Sequence, residues 1–337
     1  MITWTDAHQR AAVLASQVHA DLGIDLTKPV DVFAAAEQLG LVLAFTDLGP
    51  TSGIYIPGER SSGILIHSGH PRTRQRYTAG HELGHHMFGH ALERDIDLEN
   101  ELRRNMQGFP DHEKEAEAFG AWFLMPRRLM RAGLAELGID TVTSPFDVYS
   151  LSLWLGTSYT ATARQLGTTR LITNTEANRW ARIAPKSLKS ALAGRHAPDD
   201  LRNDVWWLDA EMGVRHIEAR PGDRVVVTAP EVPSSGFAWR VSSDLENLAV
   251  IADSFDENIL SLGPTSDADP ELAGGRTRHA FVFEVGDNTD TLLTDLELVL
   301  DQSWSPEPVS DRLTLTVAVN PPLHGIQVPE AEFRVAS

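Results

Sequence analysis

The stretch RYTAGHELGHHMFGH, residues 76–90, decides how this chain is read. Inside it, His81-Glu82-Leu83-Gly84-His85 form an HExxH pattern. On an α-helix, positions i and i+4 lie about 40° apart and one turn along the axis. The imidazoles of His81 and His85 therefore leave the same face and can share one metal ion. Glu82 is turned by about 100° from His81, which sends its carboxylate past the ion toward a water molecule. Two imidazoles that hold zinc, beside a carboxylate that takes a proton from water, suit metal-assisted hydrolysis. Leu83, Met87 and Phe88 mark the helix, read as residues 73–91, as part of a core. Gly84 and Gly89 each lower helix propensity by about 1 kcal/mol relative to Ala. At Gly84 the missing side chain would let another backbone approach the site.

A zinc site of this kind needs a third protein ligand and one open position. The chain contains no Cys, so disulfides and thiolate ligands are excluded. The ligand must be a His or a carboxylate from elsewhere, and the next helical stretch, DHEKEAEAFGAWFLMP at 111–126, offers several. Glu113 and Glu117 share a face at i, i+4, with Ala116 and Gly120 on that face to permit a close helix crossing. His112 and Glu115 compete with them.

Around these two helices the N-terminal text reads as an α+β module. Residues 5–22 and 29–40 are expected to be helical, the second with Pro29 near its start and Gly40 as its stop. LVLAFTDL and SGIYIPGERSSGILIHSG then read as short strands joined by Pro-Gly and Ser-Ser-Gly turns. From about 127 to 200 the pattern is helical. VYSLSLWLGTSYTATARQLGTTRLI contains two helices about Gly156-Thr157-Ser158, an outline common to packed helical pairs and to helix-turn-helix modules. After about 203 the period changes to two. Leu313, Leu315, Val317 and Val319 alternate with Thr314, Thr316 and Ala318, and HAFVFEVG and LTDLELVL behave likewise. Several such runs over about 120 residues predict a β-sandwich. The fold class expected is multidomain: an α+β module at 1–126, a helical, helix-turn-helix-like module at 127–202, and an all-β sandwich at 203–337.

Charge follows the same borders. The formal net charge is −18, distributed as −7 over 1–126, +5 over 127–202 and −16 over 203–337. The acidic third would repel phosphates, so nonspecific nucleic-acid binding by the whole chain is not expected, although the basic middle segment keeps a DNA-binding regulator in view. No run of about 18 apolar residues predicts a membrane span. The first residues lack a basic stretch followed by an apolar one, so a cytoplasmic protein is expected.

RQRYTAGHELGHHMFGH followed by EKEAEAFGAWFLMP resembles the ImmA/IrrE family of bacterial metallopeptidases, and the likeness extends from about residue 1 to about 200. The resemblance implies a zincin-like fold. It also implies Zn²⁺ as cofactor, His81, His85 and Glu113 as its ligands and Glu82 as the catalytic residue. Glu117 stands where the family often has Asn, and a polar group there can orient a ligand. His86 and His90 have no ligand role in the pattern and read as ordinary helix residues. The implied partner is a protein substrate, a small helix-turn-helix repressor cut by limited proteolysis. For the oxyanion, Tyr77, Tyr149 and Tyr159 are candidates by chemistry alone.

GDRVVVTAPEVPSSGFAWRV, at 222–241, is similar to the opening of chagasin-type cysteine-protease inhibitors, a likeness that runs over about 203–320. Their N-P-T-T-G-[YF]-x-W loop reads here Val232-Pro233-Ser234-Ser235-Gly236-Phe237-Ala238-Trp239. A Gly-rich loop at 271–276 and a Trp loop around Trp304 complete three loops, and the resemblance implies an immunoglobulin-like sandwich that carries them at one end. The resemblance implies a protease or other protein partner at Pro233, Ser234, Ser235, Gly236, Phe237 and Trp304. It also leaves open a protease-binding protein whose zinc site is vestigial.

Overall fold

A computed structural model of the chain describes residues 1–58, 60–91, 109–200, 202–255, 277–287, 293–302, 309–319, 323 and 325–327. Trp304 and the Gly-rich loop at 271–276 lie outside these residues. The chain divides into two compact units. The first holds Met1–Gly133, Leu155–Ala181 and the segment after residue 321; the second holds Leu134–Trp154 and Arg182–Pro321.

In the first unit, local signals set the helix ends. Thr3 and Asp6 form a capping box that starts helix α1 (Trp4–Asp21). The Asp31 carboxylate accepts from the amides of Phe33 and Ala34 and starts α2 (Val32–Gln38). The expected helix at 29–40 thus begins later, because an Asp side chain is a better N-cap than the residues around Pro29. Three short strands follow: β1 (Val42–Thr46), β2 (Gly53–Ile56) and β3 (Gly63–His67). β2 and β3 form an antiparallel hairpin, whereas β1 runs parallel to β3, with Leu43 opposite Ile64 and Phe45 opposite Ile66. Those four side chains and Tyr55 are buried. The fourth strand of this sheet comes from the far end of the chain. β12 (Gly325–Gln327) lies antiparallel to β1, with Ile326 opposite Ala44, giving the order β12-β1-β3-β2.

Helix α3 (Arg72–Phe88) carries the HExxH pattern and packs against α4 (Asp111–Leu124), which in turn packs along α1. α3 is shorter than expected. Gly89 adopts φ 69°, the left-handed geometry that ends a helix, and so lies at its cap and not in its interior. His19 of α1 bonds the Phe123 carbonyl of α4 at 2.9 Å and stacks on the Phe123 ring.

The helical middle comprises α5 (Arg127–Glu136), α6 (Pro145–Leu155), α7 (Tyr159–Thr168), α8 (Asn174–Trp180) and α9 (Pro185–Ala193). The turn at 156–158 joins α6 to α7, with Gly156 at φ 63° and Ser158 capping α7. Arg76 of α3, buried, donates to the carbonyls of Val30 (2.7 Å), Gly156 (3.1 Å) and Leu155 (3.3 Å). One guanidinium thereby satisfies the end of a helix and the lead-in to α2.

The second unit holds two four-stranded sheets. One has the order β4-β6-β9-β8, from strands Val205–Asp209, Arg224–Glu231, Thr277–Val285 and Leu248–Ser254; the other is β5-β11-β10-β7, from His216–Ala219, Asp311–Val319, Leu293–Asp301 and Ala238–Val241. Leu313, Leu315, Val317 and Val319 are all inside, as the alternation predicts, but Ala318, expected on the opposite side, is buried as well. The molecule is thus a multidomain α+β protein with several sheets in its C-terminal part. Among the described residues, no helix is long and apolar enough to cross a membrane.

Candidate metal centre

The crossing of α3 and α4 builds the site, and glycine sets its closeness. A Cβ on Gly84 would lie 2.8 Å from the Cα of Ala116 and 2.9 Å from its carbonyl oxygen. One on Gly120 would lie 3.1 Å from the backbone nitrogen of His81. The two backbones meet where the side chains are smallest, as the sequence leads one to expect. That contact brings the carboxylates of α4 up to the imidazoles of α3.

His81, His85 and Glu113 each present a ligand atom, all within 4.8 Å of one another. The two Nε2 atoms are 3.0 Å apart. Glu113 places one oxygen 3.2 Å from Nε2 of His81 and the other 3.5 Å from Nε2 of His85. Ligand bonds of about 2.0–2.1 Å in a tetrahedral zinc site put ligand atoms about 3.3 Å apart. These three separations, the two to Glu113 ending on its two different oxygens, span that value, and the donors, two imidazoles and a carboxylate, are those of an open hydrolytic zinc site. The residues present therefore fit the ion. Burial, reinforced by the nearby His81, His90 and His112, pushes the pKa of His85 down to about 2, leaving the neutral imidazole that a metal requires.

The other carboxylates of α4 are sorted by the same crossing. Glu117 lies 3.6 Å from Nδ1 of His81 and accepts from the Tyr77 hydroxyl at 2.9 Å. Glu115 faces away from the triangle, to Nε2 of His90 at 3.3 Å and to the guanidinium of Arg10. His112 sits 3.4 Å from Glu113. Glu82 is buried, and its carboxylate packs against the β2 backbone: a Cβ on Gly53 would come within 2.9 Å of Oε1. His86 bonds the Tyr55 hydroxyl at 3.1 Å.

The sequence reading passed over Gly53, Tyr77 as a partner of Glu117, and His90, whose Nδ1 lies 3.0 Å from Nδ1 of His85. No local pattern announces any of the three, since each acts through a residue distant in sequence or across a helix end. Of the other tyrosines, Tyr149 donates to Asp204 and accepts from the Val205 amide, and Tyr159 donates to the Trp180 carbonyl. Of the three, Tyr77 bonds a group next to a triangle residue, Glu117 behind the His81 ring.

In the C-terminal unit, Pro233–Ser235 form a single 3₁₀ turn, closed by Gly236 at φ 76°. Ser235 donates to the Val232 carbonyl at 2.6 Å and accepts from the Phe237 amide at 3.2 Å, while Pro233, Ser234 and Ser235 are exposed. Trp239 is buried and its indole donates to the Pro230 carbonyl at 2.8 Å.

Residues 36–160 match the model of a peptidase family described as the IrrE N-terminal-like domain. The matched segment runs from α2 into α7 and includes His81, Glu82, His85 and Glu113. No curated protein matches the chain. Among solved structures, the chain is similar to the cysteine protease inhibitor EhICP2 from Entamoeba histolytica, at 13% identity and TM-score 0.28 over 35% of this chain and 96% of that one. It is likewise similar to amebosin, at 18% identity and TM-score 0.26 over 35% of this chain and 98% of that one.

Proposed function

We propose that the chain is a zinc-dependent endopeptidase. The convergence of His81, His85 and Glu113 beside a buried Glu82 carries this reading, and the match of residues 36–160 to a peptidase family supports it. In it, His81 and His85 hold the ion through Nε2, and Glu113 holds it through a carboxylate oxygen. Zinc, when bound, supplies Lewis acidity to the scissile carbonyl and to the attacking water. Glu82 takes the proton from that water and passes it to the leaving amine. Glu117 steadies His81 from the far side of its ring. β2 ends its sheet and lies against Glu82, so it is the edge on which an extended substrate segment can be laid by main-chain hydrogen bonds.

The substrate class follows from the family resemblance: a small helix-turn-helix repressor, cut to release its control of transcription in the cytoplasm. The two C-terminal sheets form, in this reading, an immunoglobulin-like sandwich. Its exposed turn at 233–235, with Gly236 and Phe237, recognises a partner protein. Zinc stoichiometry and peptide cleavage test the proposal together. The native chain is expected to hold about one ion and to cleave; Glu82→Gln is expected to hold it and not cleave, because Glu82 moves a proton without ligating. Cleavage by Glu82→Gln at the native rate would overturn the mechanism, and full zinc occupancy in Glu113→Ala would overturn that ligand.

A further inference from the structure

Where α3 ends, the chain turns back on itself. Gly89 in the left-handed region lets the His90 amide reach the His85 carbonyl at 2.9 Å and the Gly89 amide reach that of His86 at 3.0 Å, the paired bonds of a Schellman motif. This motif brings the side chain after the glycine against the one five residues earlier. Here the pair is His90 and His85, with Nδ1 facing Nδ1 at 3.0 Å. Beyond His90, its Nε2 meets Glu115 at 3.3 Å, and Glu115 is held by Arg10 of α1.

The chemistry of the chain's end fixes every proton along it. Glu115, ionised and bound to a guanidinium, only accepts. His90 must then carry its proton on Nε2 and leave Nδ1 bare. A bare Nδ1 accepts from His85, so His85 carries its proton on Nδ1 and turns the Nε2 lone pair toward Glu113 and His81. The opposite sense would set a bare Nε2 of His90 against a carboxylate and protonate the very nitrogen of His85 that faces the triangle. We infer that His90 is a positioning residue that, with Glu115 and Arg10, selects the tautomer and ring orientation in which His85 binds the metal. The inference rests on the zinc reading above and assigns a role to a residue outside the HExxH pattern.

Zinc competition titrations of the full chain at one pH test it, beside long-range proton–nitrogen NMR correlations of the imidazoles. His90→Phe keeps the ring volume but removes the acceptor, and is expected to weaken zinc binding by about 10–100-fold. His90→Gln offers an amide oxygen to His85 and an amide N–H to Glu115, and is expected to stay within about threefold of native. Native-like affinity in a folded His90→Phe chain, or a His90 proton found on Nδ1, overturns the inference. Should the native chain bind no zinc, the zinc reading fails by itself. The NMR arm still decides the rest: His85 protonated on Nδ1 in the native chain, and no longer so in His90→Phe, upholds the positioning role, and no change between the two overturns it.

Discussion

Gly84→Ala puts two opposed effects in one position. Within an exposed helix, replacing Gly by Ala stabilises by about 1 kcal/mol, because Ala loses less backbone entropy on folding. At the α3–α4 crossing, the new methyl would stand 2.8 Å from the Cα of Ala116, 2.9 Å from its carbonyl oxygen and 3.1 Å from the Cβ of Phe119. Ordinary contact begins at 3.4 Å, so the helices must part by about 0.6 Å. The first two atoms are backbone and cannot swing aside as a flexible side chain would. Overpacking of this kind costs about 1–3 kcal/mol, which outweighs the propensity gain over most of its range and leaves a net loss of about 0–2 kcal/mol. In a unit of this size that lowers Tm by up to about 8 °C. The site is moved as well. His81 and His85 ride on α3 and Glu113 on α4, at 3.2 and 3.5 Å. Metal sites tolerate about 0.2 Å in ligand position, so zinc affinity should fall at least about tenfold. Thermal unfolding without metal reads the first effect and zinc competition the second. A Gly84→Ala chain with a raised Tm and native affinity would refute the claim that the crossing at Gly84 sets the site.

Gly53→Ala is expected to spare the metal and cost activity. The added methyl would meet Thr78 Cγ2 at 2.3 Å and Glu82 Oε1 at 2.9 Å, displacing the proposed proton carrier but none of the triangle. Zinc affinity within about threefold of native, with peptide turnover down about tenfold or more, is the expected pair, and unchanged turnover would contradict it. His19 should make the first unit acid-sensitive. Its burial between α1 and α4 lowers its pKa from 6.5, partly offset by the bond to Phe123. A histidine with a depressed folded pKa contributes stability above the unfolded value, and that stability is lost as pH falls below 6.5 toward the folded one. Unfolding followed from pH 7 to pH 5 should show a shallower loss for His19→Gln, which retains an N–H for the Phe123 carbonyl; equal slopes would exclude this role.

Much of the site is a matter of helix geometry and was legible in the letters. Spacing of four places His81 and His85 on one face whatever surrounds them, and Glu82 off it. Capping residues such as Thr3, Asp31 and Ser158, and the alternation around Leu313–Val319, act over a few residues and so are readable over a few residues. The small residues Gly84, Ala116 and Gly120 announced a close crossing. They did not say which carboxylate it would deliver. Glu113, Glu115 and Glu117 are alike in composition and lie within five positions. Only the rotation of α4 against α3, set by packing across residues distant in sequence, turns Glu113 to both Nε2 atoms, Glu117 to the back of His81 and Glu115 to His90. Gly89 read as a poor interior residue, yet its left-handed φ makes it the cap that carries His90 back onto His85. β12 is the extreme case. Three residues hold too little local preference to be recognised as a strand, and their partner, β1, lies some 280 residues earlier in the chain. Local propensity dictates what a segment tends to become; the contacts between distant segments, where most of the apolar surface is buried, decide what it meets.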